Sequence, residues 1–118
     1  MTETMGFCRG DVVVVRLEPV EGSEQGGTRP ALVISNDRLN RTLPVLTVAA
    51  ITSRKTDRVY MTEVLIEPPE GGLRQVSKVL LQQIRTIAHA RILDTLGTAS
   101  AHTMRQVDAA LRLVLDLS

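Results

Sequence analysis

Along most of the chain, apolar residues gather in short runs separated by polar, breaker-rich stretches, a spacing that predicts strands. Asp11–Leu17 is β-branched and apolar, too short for a helix, and Val12–Leu17 is its apolar part. Ala31–Ser35 and Val45–Thr52 repeat that character, the second starting just after Pro44. Tyr60–Ile66 alternates in part and reads as a fourth strand. Val76–Leu81 and Gln83–Ile87 read as two short strands meeting at a bend. Between these runs, Asn36–Arg41 predicts one helical turn, Ser53–Arg58 a charged loop and Pro68–Gly72 a turn set by its breakers.

The end of the chain changes period. Ser100 is a plausible N-cap, and Met104, Val107, Leu111 and Val114 follow at helical spacing with Ala110, Leu113 and Leu117 beside them. That pattern predicts an amphipathic helix of about four turns, facing the sheet or a partner. Several short strands closed by one helix predict a mainly β fold with α, a small half-open β-barrel. Neither repeat, low-complexity tract nor linker interrupts the pattern, so residues 1–118 read as a single domain.

One connection is longer than a turn requires. Gly22-Ser23-Glu24-Gln25-Gly26-Gly27-Thr28-Arg29-Pro30 joins the first two apolar runs, whereas hairpin connections usually take about 2–5 residues. Its glycines and proline make a loop. The same stretch carries a carboxylate, an amide, hydroxyls and a guanidinium, and polar groups on a loop held by two strands are a common design for a site.

Composition narrows the chemistry. With 43% apolar and 23% charged residues the chain has the balance of a soluble globular protein. Phe7 and Tyr60 are its only aromatics, so the core is aliphatic. Cys8 is the single cysteine, which excludes an internal disulfide and suits a reducing cytoplasm. Its position near the terminus, without a basic partner at hand, favours a passive thiol. No apolar run approaches the roughly 20 residues of a membrane span, and the start lacks the basic and apolar stretches of a signal peptide.

The net charge of +1 conceals an uneven distribution. Residues 1–28 carry −3, residues 29–58 carry +4 and residues 59–118 balance to zero. Twelve of the fourteen cations are Arg, whose donor fork suits phosphate oxygens. A solvated surface with local salt bridges accounts for the same pattern.

Familiar catalytic constellations are absent from the sequence. His89 and His102 lie far from the glycine-rich loop and read as solvated histidines. No cluster of His, Asp, Glu or Cys has metal-ligand spacing, and neither a Walker motif nor a nucleophile elbow is present. Glu24, Arg29, Thr52 and Ser53 remain. Arg29 begins the second strand and Thr52 ends the third, so in one sheet both emerge at the same rim, with Glu24 above them. A carboxylate, a guanidinium and a hydroxyl suffice for one reaction that needs no metal, attack of an RNA 2′-hydroxyl on its own 3′ phosphate. A structural Arg and a sheet-end Thr fit the same positions.

Taken together, these stretches resemble the MazF/PemK family of toxin endoribonucleases. The matching pieces are Gly10–Val12, Pro19, the loop Gly22–Pro30, Ala31–Asp37, Asn40-Arg41, Ala50–Ser53, Gln83–Ile87 and, near the end, Met104, Val107, Asp108 and Ala110-Leu111. They run in order from about Arg9 to Leu117 with no departure at the motif positions. The resemblance implies an SH3-like barrel, a homodimer and sequence-specific cleavage of single-stranded RNA, messenger RNA above all, without metal or other cofactor. The products implied are a 2′,3′-cyclic phosphate and a free 5′-hydroxyl. The family's essential arginine falls on Arg29, its essential threonine on Thr52 and its loop carboxylate on Glu24. Ser23, Gln25, Asn36, Ser53, Arg54 and Gln83 fall on RNA-contacting positions, and Ser53–Met61 on a region where members vary. A cognate MazE-like antitoxin with an acidic tail is implied as partner. The positive balance of residues 29–58 suits both anionic strands. With so few aromatics to stack on, base recognition falls to Arg planes and amide hydrogen bonds. A gyrase-poisoning toxin of the same barrel, or a catalytically silent RNA- or protein-binding module, are the alternatives, because fold alone does not separate them.

Overall fold

The structure is a computed structural model that describes residues 6–16 and 27–118. Ser23, Glu24 and Gln25, three of the expected site residues, lie outside the described residues.

Six strands form one antiparallel sheet: β1 Asp11–Arg16, β2 Thr28–Val33, β3 Val45–Thr52, β4 Glu63–Ile66, β5 Ser77–Ala88 and β6 Ile92–Thr98. Their order is β4-β5-β3-β2-β1-β6. β4 and β6 are edges, so the sheet does not close, in keeping with the half-open barrel expected. The segment after β4 nevertheless reaches the far edge. Its 3-10 turn Glu70–Gly72 packs so tightly on β6 that a Cβ on Gly72 would stand 2.1 Å from the Leu96 carbonyl oxygen. Gly72 also sits at φ +72°, a region that favours glycine.

The valine run of β1 is continuous because both faces of the sheet are covered. Val12 joins Leu32, Ala49, Ile51, Val79 and Leu81 on one face, while Val13 and Val15 join Ala31, Val33, Leu46 and Val48 on the other. The C-terminal helix α2, Ala101–Leu115, covers the first face through Val107 and Ala110, with Met104, Leu111 and Val114 packed beside them. It therefore faces the sheet, whereas Leu113 and Leu117 are exposed. Ser100 caps it by accepting from the Thr103 N–H at 3.1 Å. Arg9 ties the helix to the sheet, bonding Asp108 at 2.6 Å and the Ile34 carbonyl at 2.9 Å.

Several boundaries differ from the sequence pattern for local reasons. β2 begins at Thr28 and ends at Val33, because β1 pairs with it from Arg16↔Thr28 onward. Tyr60–Thr62 is a turn, closed by the Glu63 N–H on the Tyr60 carbonyl, so β4 starts only at Glu63. The two short strands at 76–87 are one strand, β5, and the expected bend is a bulge, since Ala49 pairs with Ile84 but Ala50 with Leu80. β6 was not anticipated. It is an edge strand with two register shifts and with Leu93 and Leu96 exposed, which spoils its alternation. Asn36–Arg41 does contain the expected helical turn, α1 Asp37–Thr42 with Asn36 as N-cap.

Candidate functional site

The site is built where the β2–β3 ladder stops. Pro30 has no N–H to donate, and the ladder runs only over Ala31↔Ala50, Leu32↔Ala49 and Val33↔Val48. Continuing that register places Arg29 opposite Thr52, one step beyond Pro30 and Ile51. These four residues line two adjoining cavities. One, of about 450 Å³, adds Ser53, Arg54, Arg74, Gln75 and Ser77. The other, of about 480 Å³, adds Val15, Ala31, Val48, Ala50, Leu80, Gln83, Ile84 and Arg85.

Thr52 is half-buried and its Oγ1 accepts from the Arg54 N–H at 3.1 Å. The hydroxyl proton therefore remains available to an acceptor in the cavity. Arg29 is exposed, and its guanidinium has no ion-pair or hydrogen-bond partner among the described residues. Both cavities contain arginines, Arg29, Arg54, Arg74 and Arg85 between them, and no carboxylate among the described residues that line them. Cations gathered in a cleft with partly apolar walls, with no countercharge among the described residues that line it, favour an anionic ligand.

Of the expected site residues, Arg29, Thr52, Ser53, Arg54 and Gln83 come together here. Gln83 reaches the cavity because the β5 bulge falls at Leu81–Gln83; bulges re-aim side chains in this way. Asn36 lies elsewhere, past the opposite end of β2 from Arg29. Its Oδ1 accepts from the N–H groups of Arg38 and Leu39, capping α1. Sequence reasoning missed Arg74, Gln75, Ser77 and Arg85. Nothing local marks Arg74, which reaches the site only because the chain returns after the Glu70–Gly72 turn. Arg85 lies inside the Gln83–Ile87 stretch but received no role.

A larger cavity, of about 840 Å³, lies between β4 and α2, walled by Met61, Val64, Ala110 and Leu113 among others. It holds none of the expected site residues. Two of its carboxylates are engaged in structural bonds. Glu63 accepts from Lys78 at 2.8 Å, from Gln82 at 2.9 Å and from the Tyr60 N–H at 3.1 Å. Burial alone raises its pKa, but these hydrogen bonds and the Lys78 charge outweigh burial and hold the carboxyl below its ordinary value. Glu70 is treated likewise: burial pushes it up, and bonds from Thr103 and Ser100, with the His102 charge, bring it below the usual range. Its Oε2 accepts from the Ser100 N–H at 2.8 Å, beside the start of α2.

The remaining titratable groups sit apart from the arginine cleft. Burial, then Asp11 and Asp37, pushes the exposed Cys8 thiol upward against Arg41, away from reactivity. His102 is exposed, as expected. His89 is not a solvated histidine: Phe7 stands edge-on to its ring at 5.6 Å, and its buried Nε2 has no hydrogen-bond partner among the described residues. Among the described residues, no three His, Cys, Asp or Glu side chains gather in a set able to hold a metal ion. No helix there is long and apolar enough to cross a membrane.

Residues 8–115 match the family described as PemK-like, MazF-like toxin of type II toxin-antitoxin system. The chain belongs to this family. Solved structures agree on the fold. A chain of the MazE–MazF crystal structure from Deinococcus radiodurans is 30% identical with a TM-score of 0.80, covering 98% of this chain and 100% of that one. An endoribonuclease from a mycobacterial species, in complex with its cognate antitoxin, is 24% identical with a TM-score of 0.79, covering 96% and 98%. The Mycobacterium tuberculosis toxin MazF-mt6 is also 24% identical, with a TM-score of 0.77 and coverage of 92% and 98%. The MazF/PemK resemblance expected from Gly22–Pro30 and its companion stretches thus holds over the matched length.

Proposed function

We propose that this MazF-like toxin is a metal-independent endoribonuclease that cleaves single-stranded RNA at specific sequences, messenger RNA above all, and so arrests translation. The observation that carries this reading is the meeting of Arg29 and Thr52 at one arginine-lined cleft without a lining carboxylate among the described residues. A phosphodiester is the anion such a cleft suits, because a guanidinium fork and a hydroxyl both donate to phosphoryl oxygens.

In this reaction the RNA supplies its own nucleophile. The 2′-hydroxyl gives up its proton as its oxygen attacks the neighbouring phosphorus, the P–O5′ bond breaks, the leaving 5′-oxygen takes a proton from water, and the products are a 2′,3′-cyclic phosphate and a 5′-hydroxyl. Arg29 holds the two non-bridging oxygens as negative charge builds on them, and the Thr52 hydroxyl donates to one of the same oxygens. Glu24 takes the 2′ proton or contacts the RNA. Ser23, Gln25, Ser53, Arg54 and Gln83 read bases or sugar, and Asn36 remains a candidate contact, its side-chain amide still having donors free while Oδ1 caps α1. The protein works as a homodimer, and a MazE-like antitoxin with an acidic segment competes for the same cleft.

The test is to incubate the purified protein with a mixed RNA pool in excess EDTA and to map the new ends. Recurrent cuts at one sequence, with cyclic phosphate ends and no cutting by Arg29→Ala, are the expected result. Intact RNA, or cutting restored only by added divalent metal, overturns the reading.

A further inference from the structure

We propose that Arg85 is a second phosphate grip of the same groove, holding the RNA strand a few nucleotides from the bond addressed by Arg29 and Thr52. The inference rests on the ribonuclease reading above. Arg85 pairs with Val48 across β5 and β3, and Arg29 stands opposite Thr52 by the β2–β3 register. Val48 and Thr52 are four residues apart on one strand, so they and their cross-strand partners share one face of the sheet. Both guanidiniums therefore rise from that face, and both line the cavity of about 480 Å³ that Thr52 and Gln83 also line.

Spacing sets what the pair can do. Arg85 and Arg29 are separated by four residues along β3, roughly 13 Å, and by two strands, roughly 10 Å. Such a separation suits two phosphates of one extended strand better than two oxygens of a single phosphate. Arg85 is exposed and has no ion pair or hydrogen bond with another described residue, unlike Arg9 and Lys78, which are bound to Asp108 and Glu63. Its neighbours on the cavity wall, Val48, Leu80 and Ile84, are apolar, and none of the described residues lining the cavity offers it a countercharge. A second guanidinium in line with the cleft gives the strand a direction as well as affinity, since phosphate contacts set register.

The test uses an RNA of about ten nucleotides, 2′-deoxy at the cleaved nucleotide so that it binds without reacting. Affinity is read by fluorescence anisotropy across a salt series for wild type, Arg85→Ala and Arg85→Lys. Arg85→Ala is expected to weaken binding roughly fivefold to tenfold and to reduce the slope of log Kd against log salt by about 0.7. Arg85→Lys keeps the slope, which a merely structural role would not predict. In a set of RNAs with one phosphate at a time made uncharged, one position away from the cleaved bond costs wild type affinity and costs Arg85→Ala nothing. Unchanged affinity and slope in natively folded Arg85→Ala overturn the proposal, while wild-type cleavage leaves the ribonuclease reading intact. RNA that wild type binds with an Arg85-dependent slope but never cuts overturns that reading and leaves the grip standing.

Discussion

Thr52 pairs with Lys78 across β3 and β5, yet the lysine's ammonium is bound to Glu63, 2.8 Å away, with both side chains buried. The cation opposite Thr52 on β5 is therefore a structural one, unlike Arg29 on the β2 side. It also donates to the Arg58 carbonyl at 2.8 Å, fixing the connection between β3 and β4. Glu63→Gln leaves a buried ammonium without its countercharge and is expected to destabilise the fold by roughly 3–5 kcal/mol in urea unfolding. Replacing both partners, Glu63→Leu with Lys78→Met, recovers much of that loss. Equal instability of the single and double variants would show that the pair contributes more than charge neutralisation.

Arg29→Ala is expected to abolish RNA cleavage while leaving the unfolding midpoint within about 0.5 kcal/mol of wild type, because Arg29 is exposed. Arg29→Lys recovers little, since an ammonium lacks the planar fork. Cleavage retained in Arg29→Ala removes this residue from the mechanism.

Thr52 offers a cleaner separation of shape from chemistry. Thr52→Val preserves the β-branched outline and removes the donor; a loss of roughly 10²–10³ in kcat is expected, the scale for one preorganised donor at a developing oxyanion. Thr52→Ser retains most of the rate. Comparable rates for the valine and serine variants would show that the hydroxyl does no chemistry.

Stability depends on pH through Glu63 and Glu70, both held below their ordinary values in the folded chain. Near pH 4 the unfolded state binds more protons at these sites than the native state does. Their contribution is therefore complete above the ordinary carboxyl value of about 4.3 and is lost as pH falls through the lowered native values. Urea midpoints measured from pH 7 to pH 3 are expected to hold level and then drop, and Glu70→Gln flattens part of the drop. A midpoint insensitive to acid contradicts this linkage.

Leu111→Asp puts a carboxylate on the half-buried seam of α2 and is expected to cost several kcal/mol of stability. Leu113→Asp, on the exposed side of the same helix, is expected to cost little in the isolated chain. Thermal melts of the two variants check the assignment of the helix face.

Much of this was legible without coordinates. The β-branched run Asp11–Arg16 and the segment Val45–Thr52 declared themselves as strands, since β-branching and strand length leave few alternatives; Leu17, also expected in the first, lies outside the described residues. Met104, Val107 and Leu111 declared a helix by their period, and Ser100 its start. Arg29 and Thr52 were legible as site candidates because they sit at strand ends beside a loop longer than its turning duty. Other features lay beyond the reach of local pattern. β6 is an exposed edge whose alternation is broken by its register shifts. The buried pair Glu63–Lys78 looks in sequence like two ordinary surface charges. Asn36 carries a side chain suited to base contact, and its use as the α1 cap depends on where the helix begins.

The chain's order of apolar and polar residues determined most of the strand segments, where the closing helix starts and which of its residues form the apolar stripe, because those outcomes follow from periods of two and 3.6 and from capping chemistry acting over a few residues. What the tertiary structure alone decided is which cations share a cleft. Arg29, Arg54, Arg74 and Arg85 come from four separate stretches and meet only after β2, β3 and β5 take their register and the turn at Glu70–Gly72 redirects the chain. Strand register and a bulge are settled by packing across the whole sheet, and no window of neighbouring residues contains that information.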